Sequence, residues 1–114
     1  MQYLLLVYQN ENGWTTMDDT ARNAGIAEYR AFGQEFASSI LGSNALQHTP
    51  TARTVRVRDG KRLDTDGPFA ETKEQLGGYY LVEAPDIEQA ANIAAKVPGA
   101  RYGSIEVRAI MTFS

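Results

Sequence analysis

The sequence predicts a single α+β domain: a mainly antiparallel sheet of split β-α-β plan, with two helices on one face and an extra β-hairpin. Three observations predict it. Apolar runs of strand length alternate with two segments of helical periodicity. A turn-forming Asp59-Gly60 divides a pair of short alternating segments. The chain of 114 residues, 43% hydrophobic and 22% charged, suits one globular core.

The elements follow in order. Tyr3-Leu4-Leu5-Leu6-Val7-Tyr8 is a continuous apolar run too short for a typical helix, and such a run suits a central strand covered on both faces. Asn10 to Gly13 breaks the pattern, and Thr16, three residues before Asp19, is the expected helix cap. From about Asp18 to Leu41 the residues Tyr29, Phe32, Phe36 and Ile40 recur at spacings of three and four, so one face of a long helix packs on the sheet. Gly25 and Gly33 each weaken that helix by about 1 kcal/mol relative to Ala, and Gly42 is its expected C-terminal cap. Thr54 to Thr65 reads as two short strands. A two-residue loop between them sets Val55 opposite Asp64 and Val57 opposite Arg62, whereas a three-residue loop with a glycine bulge sets Val55 opposite Leu63. The bulged turn is expected, because it gathers Val55 and Leu63 on one face and leaves Arg56 and Arg62 on the other.

Asp64 to Gln75 interrupts the strands, and Gly77-Gly78 then leads into Tyr79-Tyr80-Leu81-Val82-Glu83, whose aromatic and branched residues prefer a strand. Asp86 caps the next helix, with an apolar stripe of Ile87, Ala90, Ala91, Ala94 and Val97 that Pro98-Gly99 stops. The last strand runs from about Gly103 to Thr112, with Ile105, Val107, Ala109 and Met111 on one face. Both helices cover the same side of the sheet. Its other side exposes Leu, Val and Tyr, a patch large enough to need a cover. A second copy packed sheet against sheet is the expected one.

Composition excludes several functions. Lys and Arg number 11 against 14 Asp and Glu, for a net charge of -3, so the chain lacks the positive field that draws proteins onto nucleic acid. With no cysteine, disulfides, thiolate nucleophiles and Cys-based zinc or iron–sulfur sites are ruled out. His48 is the only histidine, which excludes two-His zinc and iron sites within one chain. No metal and no cofactor is expected. The longest apolar run, Tyr3 to Tyr8, is far short of the ~20 residues that cross a bilayer. A cytoplasmic protein with no membrane partner is expected.

The densest polar cluster comprises Asp64, Asp66, Glu71, Thr72, Lys73, Glu74 and Gln75. Asp66 before Gly67-Pro68 either folds its carboxylate onto the amides of its own turn or serves as an acid or base, its pKa set by burial and by Lys73. Phe69 reads as an apolar anchor that pins this loop to the core. Gly77-Gly78 matches no phosphate-cradling spacing and reads as a close backbone approach. His48 sits in a polar stretch with no evident orienting partner, so a surface position competes with a binding role. Arg56, Arg58, Arg62 and Arg108 offer guanidinium forks for a carboxylate or phosphate, or salt bridges to Glu106 and Asp64. Glu71 and Lys73 are either ligand contacts or a solvated face.

Thr54-Val55-Arg56-Val57-Arg58-Asp59-Gly60-Lys61, followed by Thr65-Asp66-Gly67-Pro68-Phe69-Ala70-Glu71-Thr72-Lys73-Glu74-Gln75-Leu76-Gly77-Gly78-Tyr79, resembles the DGPF stretch of the YCII-related family. The likeness extends weakly through Tyr3 to Tyr8 and Pro98 to Arg108. It implies a ferredoxin-like fold and a homodimer of dimeric α/β-barrel type with a cleft between or beside the sheets. It also implies membership of a family mostly without an assigned reaction, whose bacterial members often accompany extracytoplasmic-function sigma factors. Some members carry a histidine motif paired with an aspartate as a catalytic dyad. Asp66 is the motif aspartate here, and the dyad is not carried over to His48. The family's Arg-Pro near the last strand is Arg108-Ala109, and the tryptophan of its second helix is absent at Asn92-Ile93.

The expected function is therefore a homodimeric small-molecule-binding or regulatory protein with a cleft near the motif, its ligand contacts drawn from His48, Arg56, Glu71, Lys73 and Arg108. The alternative is a small-molecule enzyme with Asp66 as acid or base and Lys73 or Arg108 stabilising charge. A purely architectural motif is the third reading.

Overall fold

The first apolar run forms β1 (Gln2–Gln9), which lies at the centre of an antiparallel sheet, as a strand with apolar residues on both faces must. A computed structural model describes residues 1–113. After β1 come α1 (Glu11–Thr15), α2 (Asp19–Glu35), β2 (Ile40–Ala45), β3 (Arg53–Arg58), β4 (Lys61–Asp66), β5 (Gln75–Glu83), α3 (Ile87–Ala95) and β6 (Ser104–Ala109). The four-stranded sheet has the order β2-β5-β1-β6, with every neighbour antiparallel. That is the ferredoxin-like arrangement. β3 and β4 form a separate two-stranded sheet inserted between β2 and β5. No helix among the described residues is long and apolar enough to cross a membrane.

Alternation along β1 divides the two faces. Tyr3, Leu5 and Val7 are buried against Val82, Phe32 of α2, and Ile93, Ala94 and Val97 of the α3 region. Phe32 sets its ring 5.0 Å from Tyr80, edge to face, and 5.2 Å from Phe36. On the opposite face the register pairs Leu4 with Leu81, Leu6 with Tyr79 and Tyr8 with Leu76. All six are only half-buried.

Several expectations are corrected. The long helix ends at Glu35, with Phe36 as its cap, and Ile40–Ala45 is the edge strand β2, so Gly42 lies within a strand and caps nothing. Ile40 still packs on the core beside Phe36, which is why its spacing imitates a helix. The cap of α2 is Asp18, whose carboxylate accepts from Ala21 N at 2.8 Å, while Thr16 closes the additional short helix α1. Among the described residues three α-helices therefore stand where two were expected. The hairpin turn has two residues: Asp59 and Gly60 sit at φ 53° and 73°, the backbone of a tight turn that matches strand twist. Val55 accordingly faces Asp64, and Val57 faces Arg62. Arg62 is neutralised by a two-pronged contact with Asp64 at 2.7 and 2.8 Å. β5 begins at Gln75, so the glycine pair lies inside it. At Gly78 a Cβ would stand 2.9 Å from Asn44 O of β2, the close approach expected. β6 ends at Ala109, and Met111 beyond it is 74% exposed.

Candidate functional site

Two neighbouring cavities meet at Gln75. The larger, about 630 Å³, lies where the ends of β1, β2 and β5 meet α1 and α2. Its sheet wall comes from Val7, Gly78 and Tyr80, and its helix wall from Trp14, Ile26 and Tyr29. Gly78 has no side chain to fill the space opposite Val7. Trp14 packs over Gly25 of α2, where a Cβ would meet its ring at 3.4 Å. The polar groups around this wall are mostly amides, among them Gln9, Gln47 and Gln75, with Glu11 and His48 at the rim. Lys and Arg are absent from the lining.

Tyr29 is held firmly. Its oxygen receives Gln9 Nε2 at 3.0 Å and Gly99 N at 3.1 Å. Burial pushes its phenol above the usual value, and burial does the same to Tyr80. Both therefore stay protonated near neutral pH. Glu11 is fixed by Thr49, whose backbone N donates to one carboxylate oxygen at 3.1 Å and whose hydroxyl donates to the other. That hydroxyl contact holds the Glu11 carboxyl below its ordinary range. Glu11 N donates to Gln75 Oε1 at 3.0 Å, closing the partition between the cavities.

The smaller cavity, about 470 Å³, is walled by Thr49 and Pro50 on one side and by Asp66, Gly67, Pro68, Glu71, Thr72 and Gln75 on the other. Gly67 takes φ 102°, and the loop is tied down by Gly67 N to Ala52 O at 2.7 Å and Thr54 Oγ1 to Gly67 O at 3.0 Å. These contacts shape the turn. The Asp66 carboxylate does not; it is 92% exposed, with Arg53 Nε at 3.7 Å as its ionic neighbour. Phe69 is 80% exposed and anchors nothing; the Arg56 guanidinium stands 5.7 Å over its ring. The left-handed φ of Gly67 and the ring-locked φ of Pro68 together turn the next side chain outward, away from the core.

The predicted site residues are thus divided. Asp66 and Glu71 share the smaller cavity, and His48 borders the larger. Lys73 lies exposed in the loop between β4 and β5. Arg56 belongs to the hairpin. Arg108 stands on the helix-free face of β6, opposite Leu4 and 3.8 Å from Glu106. Sequence reasoning missed Glu11, Trp14 and Tyr29, and named Gln75 only as a member of the polar cluster. Tyr29 was hidden in a helical stripe that reads as core, and the single tryptophan in a polar break was the available signal. Among the described residues no group of three or more His, Asp or Glu is placed to hold a metal ion.

A four-stranded ferredoxin-like sheet with a helix-side cavity, and a DGPF loop walling a smaller cavity next to it, defines a small α+β domain. The chain belongs to the YCII-related domain family, whose model matches residues 1–114. It is 32% identical over 117 residues to an uncharacterized protein of Rhizobium meliloti, covering 99% of this chain and 94% of that protein. Among solved structures it is similar to 5-chloro-2-hydroxyhydroquinone dehydrochlorinase (TftG) from Burkholderia phenoliruptrix, in complex with 2,5-dihydroxybenzoquinone. The TM-score is 0.58 at 11% identity, with 97% of this chain and 94% of that one covered, a likeness of fold.

Proposed function

We propose that this protein is a homodimer that binds a small hydroxylated aromatic or quinonoid compound in the larger cavity. The observation that carries this is the cavity lining. Trp14, Tyr29 and Tyr80 supply aromatic surface, Gln9, Ser43 and Gln75 supply hydrogen bonds, and no Lys or Arg is present to hold a phosphate or carboxylate. The volume, about 630 Å³, lies within the range of small-ligand sites. The dihydroxybenzoquinone bound by the dehydrochlorinase of similar fold is of this chemical kind. An enzyme acting through Asp66 has weaker support, because that carboxylate is solvated and faces an arginine rather than a proton relay.

The dimer half of the reading rests on surface area. The chain exposes 8186 Å², whereas a folded monomer of its mass exposes about 6200 Å². The excess resembles what one partner of an obligate dimer buries, and the half-buried Leu4, Leu6, Tyr8, Leu76, Tyr79 and Leu81 form its apolar part.

The single tryptophan makes the test direct. Hydroquinone and catechol are expected to quench Trp14 fluorescence saturably and to release or absorb heat in calorimetry, while benzoate does neither. Ala45→Phe, an exposed edge-strand position lining the cavity, should abolish binding with the fold intact. Absence of any saturable response to dihydroxybenzenes at millimolar concentration overturns the ligand class.

A further inference from the structure

The β3–β4 hairpin is the part of the molecule least explained by its own chain. Its strands pair extensively with each other but with no other element to a comparable degree. A two-stranded hairpin standing alone is marginally stable in water. Here Leu63 is 50% exposed and Phe69, at its base, 80%. The projection also shows in the overall dimensions: the radius of gyration is 16.1 Å, against about 13 Å for a compact chain of this length. The base is nevertheless fixed, by Gly67 N to Ala52 O and by Thr54 Oγ1 to Gly67 O. The hairpin is a directed arm, not a loose loop.

Its two faces differ in charge. On one, Arg53 and Arg62 are answered by Asp64 and Asp66. On the other, the register brings together Arg56, Leu63, Arg58 and Lys61, with the Phe69 ring under Arg56 and no carboxylate among them. Residues 53–66 carry five basic and three acidic side chains, which leaves six basic and 11 acidic on the rest of the chain. A basic arm therefore projects from an acidic body.

We propose that this arm docks on a second copy of the chain, laying its Arg56, Leu63, Arg58 and Lys61 face, with Phe69, on the acidic body of the partner. The proposal rests on the dimer reading above and adds a second contact region to it. Charge complementarity selects the occupant: the arm's unpaired cations match the carboxylate excess of the body, and two-fold symmetry makes such a contact reciprocal, each arm on the other body. Arg and aromatic side chains are the residue types that anchor such contacts. Docking also completes the hairpin, giving its exposed apolar residues a surface to cover.

Hydrogen exchange read by mass spectrometry separates the two ideas. Amides of residues 53–66 are expected to exchange roughly tenfold more slowly in the wild-type dimer than in a monomeric variant carrying Leu6→Arg on the open face. The double change Arg58→Glu with Lys61→Glu, at the exposed strand ends that flank the turn, should restore fast exchange and raise the dimer dissociation constant about tenfold, an effect that fades as salt rises. If segments of β1 and β5 slow on dimerisation while residues 53–66 exchange equally fast in both states, the dimer stands and the arm proposal falls. If light scattering finds only monomer at every concentration, both fall.

Discussion

At the scale of single residues, the Glu11–Thr49 contact joins the start of α1 to the loop before β3 and separates the two cavities. Because the Thr49 hydroxyl lowers the Glu11 pKa in the folded chain, this contact contributes stability above the ordinary carboxylate value of 4.5 and loses it as pH falls through the lower folded value. Thr49→Val should therefore lower stability by about 1 kcal/mol near neutral pH, a solvent-screened hydrogen bond to a charge. The deficit should shrink toward pH 3, as thermal unfolding across that range would read. An equal deficit at both ends would assign the effect to packing. Residue types alone revealed only part of this site. Asp66 stood out because Asp-Gly-Pro-Phe is unusual, yet its carboxylate faces solvent. Glu11 and Tyr29 matter through partners distant in the chain, Thr49 and Gly99, and no local pattern reports such a meeting.

At the scale of elements, glycines separate tolerance from constraint. Gly33 lies inside α2, and a Cβ added there would meet nothing within 4 Å, so Gly33→Ala should stabilise by about 1 kcal/mol. Gly78 lies where β5 meets β2, and a Cβ would press on Asn44 O at 2.9 Å. Gly78→Ala should cost about 1–3 kcal/mol and displace the edge strand that walls the larger cavity. Urea denaturation of the pair reads both signs; a Gly78→Ala protein as stable as wild type would show that β2 moves freely. The same edge strand, like the short helix α1, was concealed in the sequence. Its Leu-Gly-Ser-Asn run lacks β-branched residues, it is almost wholly exposed apart from Ile40, and a bulge at Leu41 breaks its alternation. β1, β5 and α3 were legible because burial imposes a period on their side chains, which an exposed edge does not require.

At the scale of the whole molecule, the sheet is covered on one side only. Leu6 stands at the middle of the open side, between Tyr79 of β5 and Glu106 of β6. An apolar patch of this extent, on a chain exposing about 2000 Å² more than a monomer of its size, is free for association on the proposed dimer reading and is not needed for folding, since the buried core uses the other face of β1. Leu6→Arg should therefore leave the circular dichroism and unfolding cooperativity of the isolated chain unchanged. Its guanidinium can lie toward Glu106 in the monomer, whereas in a sheet-to-sheet dimer two such charges would be buried near the symmetry axis without adequate partners, a cost of several kcal/mol. Light scattering across micromolar concentrations should find wild type as a dimer and the variant as a monomer. A variant that dimerises as tightly as wild type would place the interface elsewhere, and a wild type that stays monomeric would mean that the open face serves another partner.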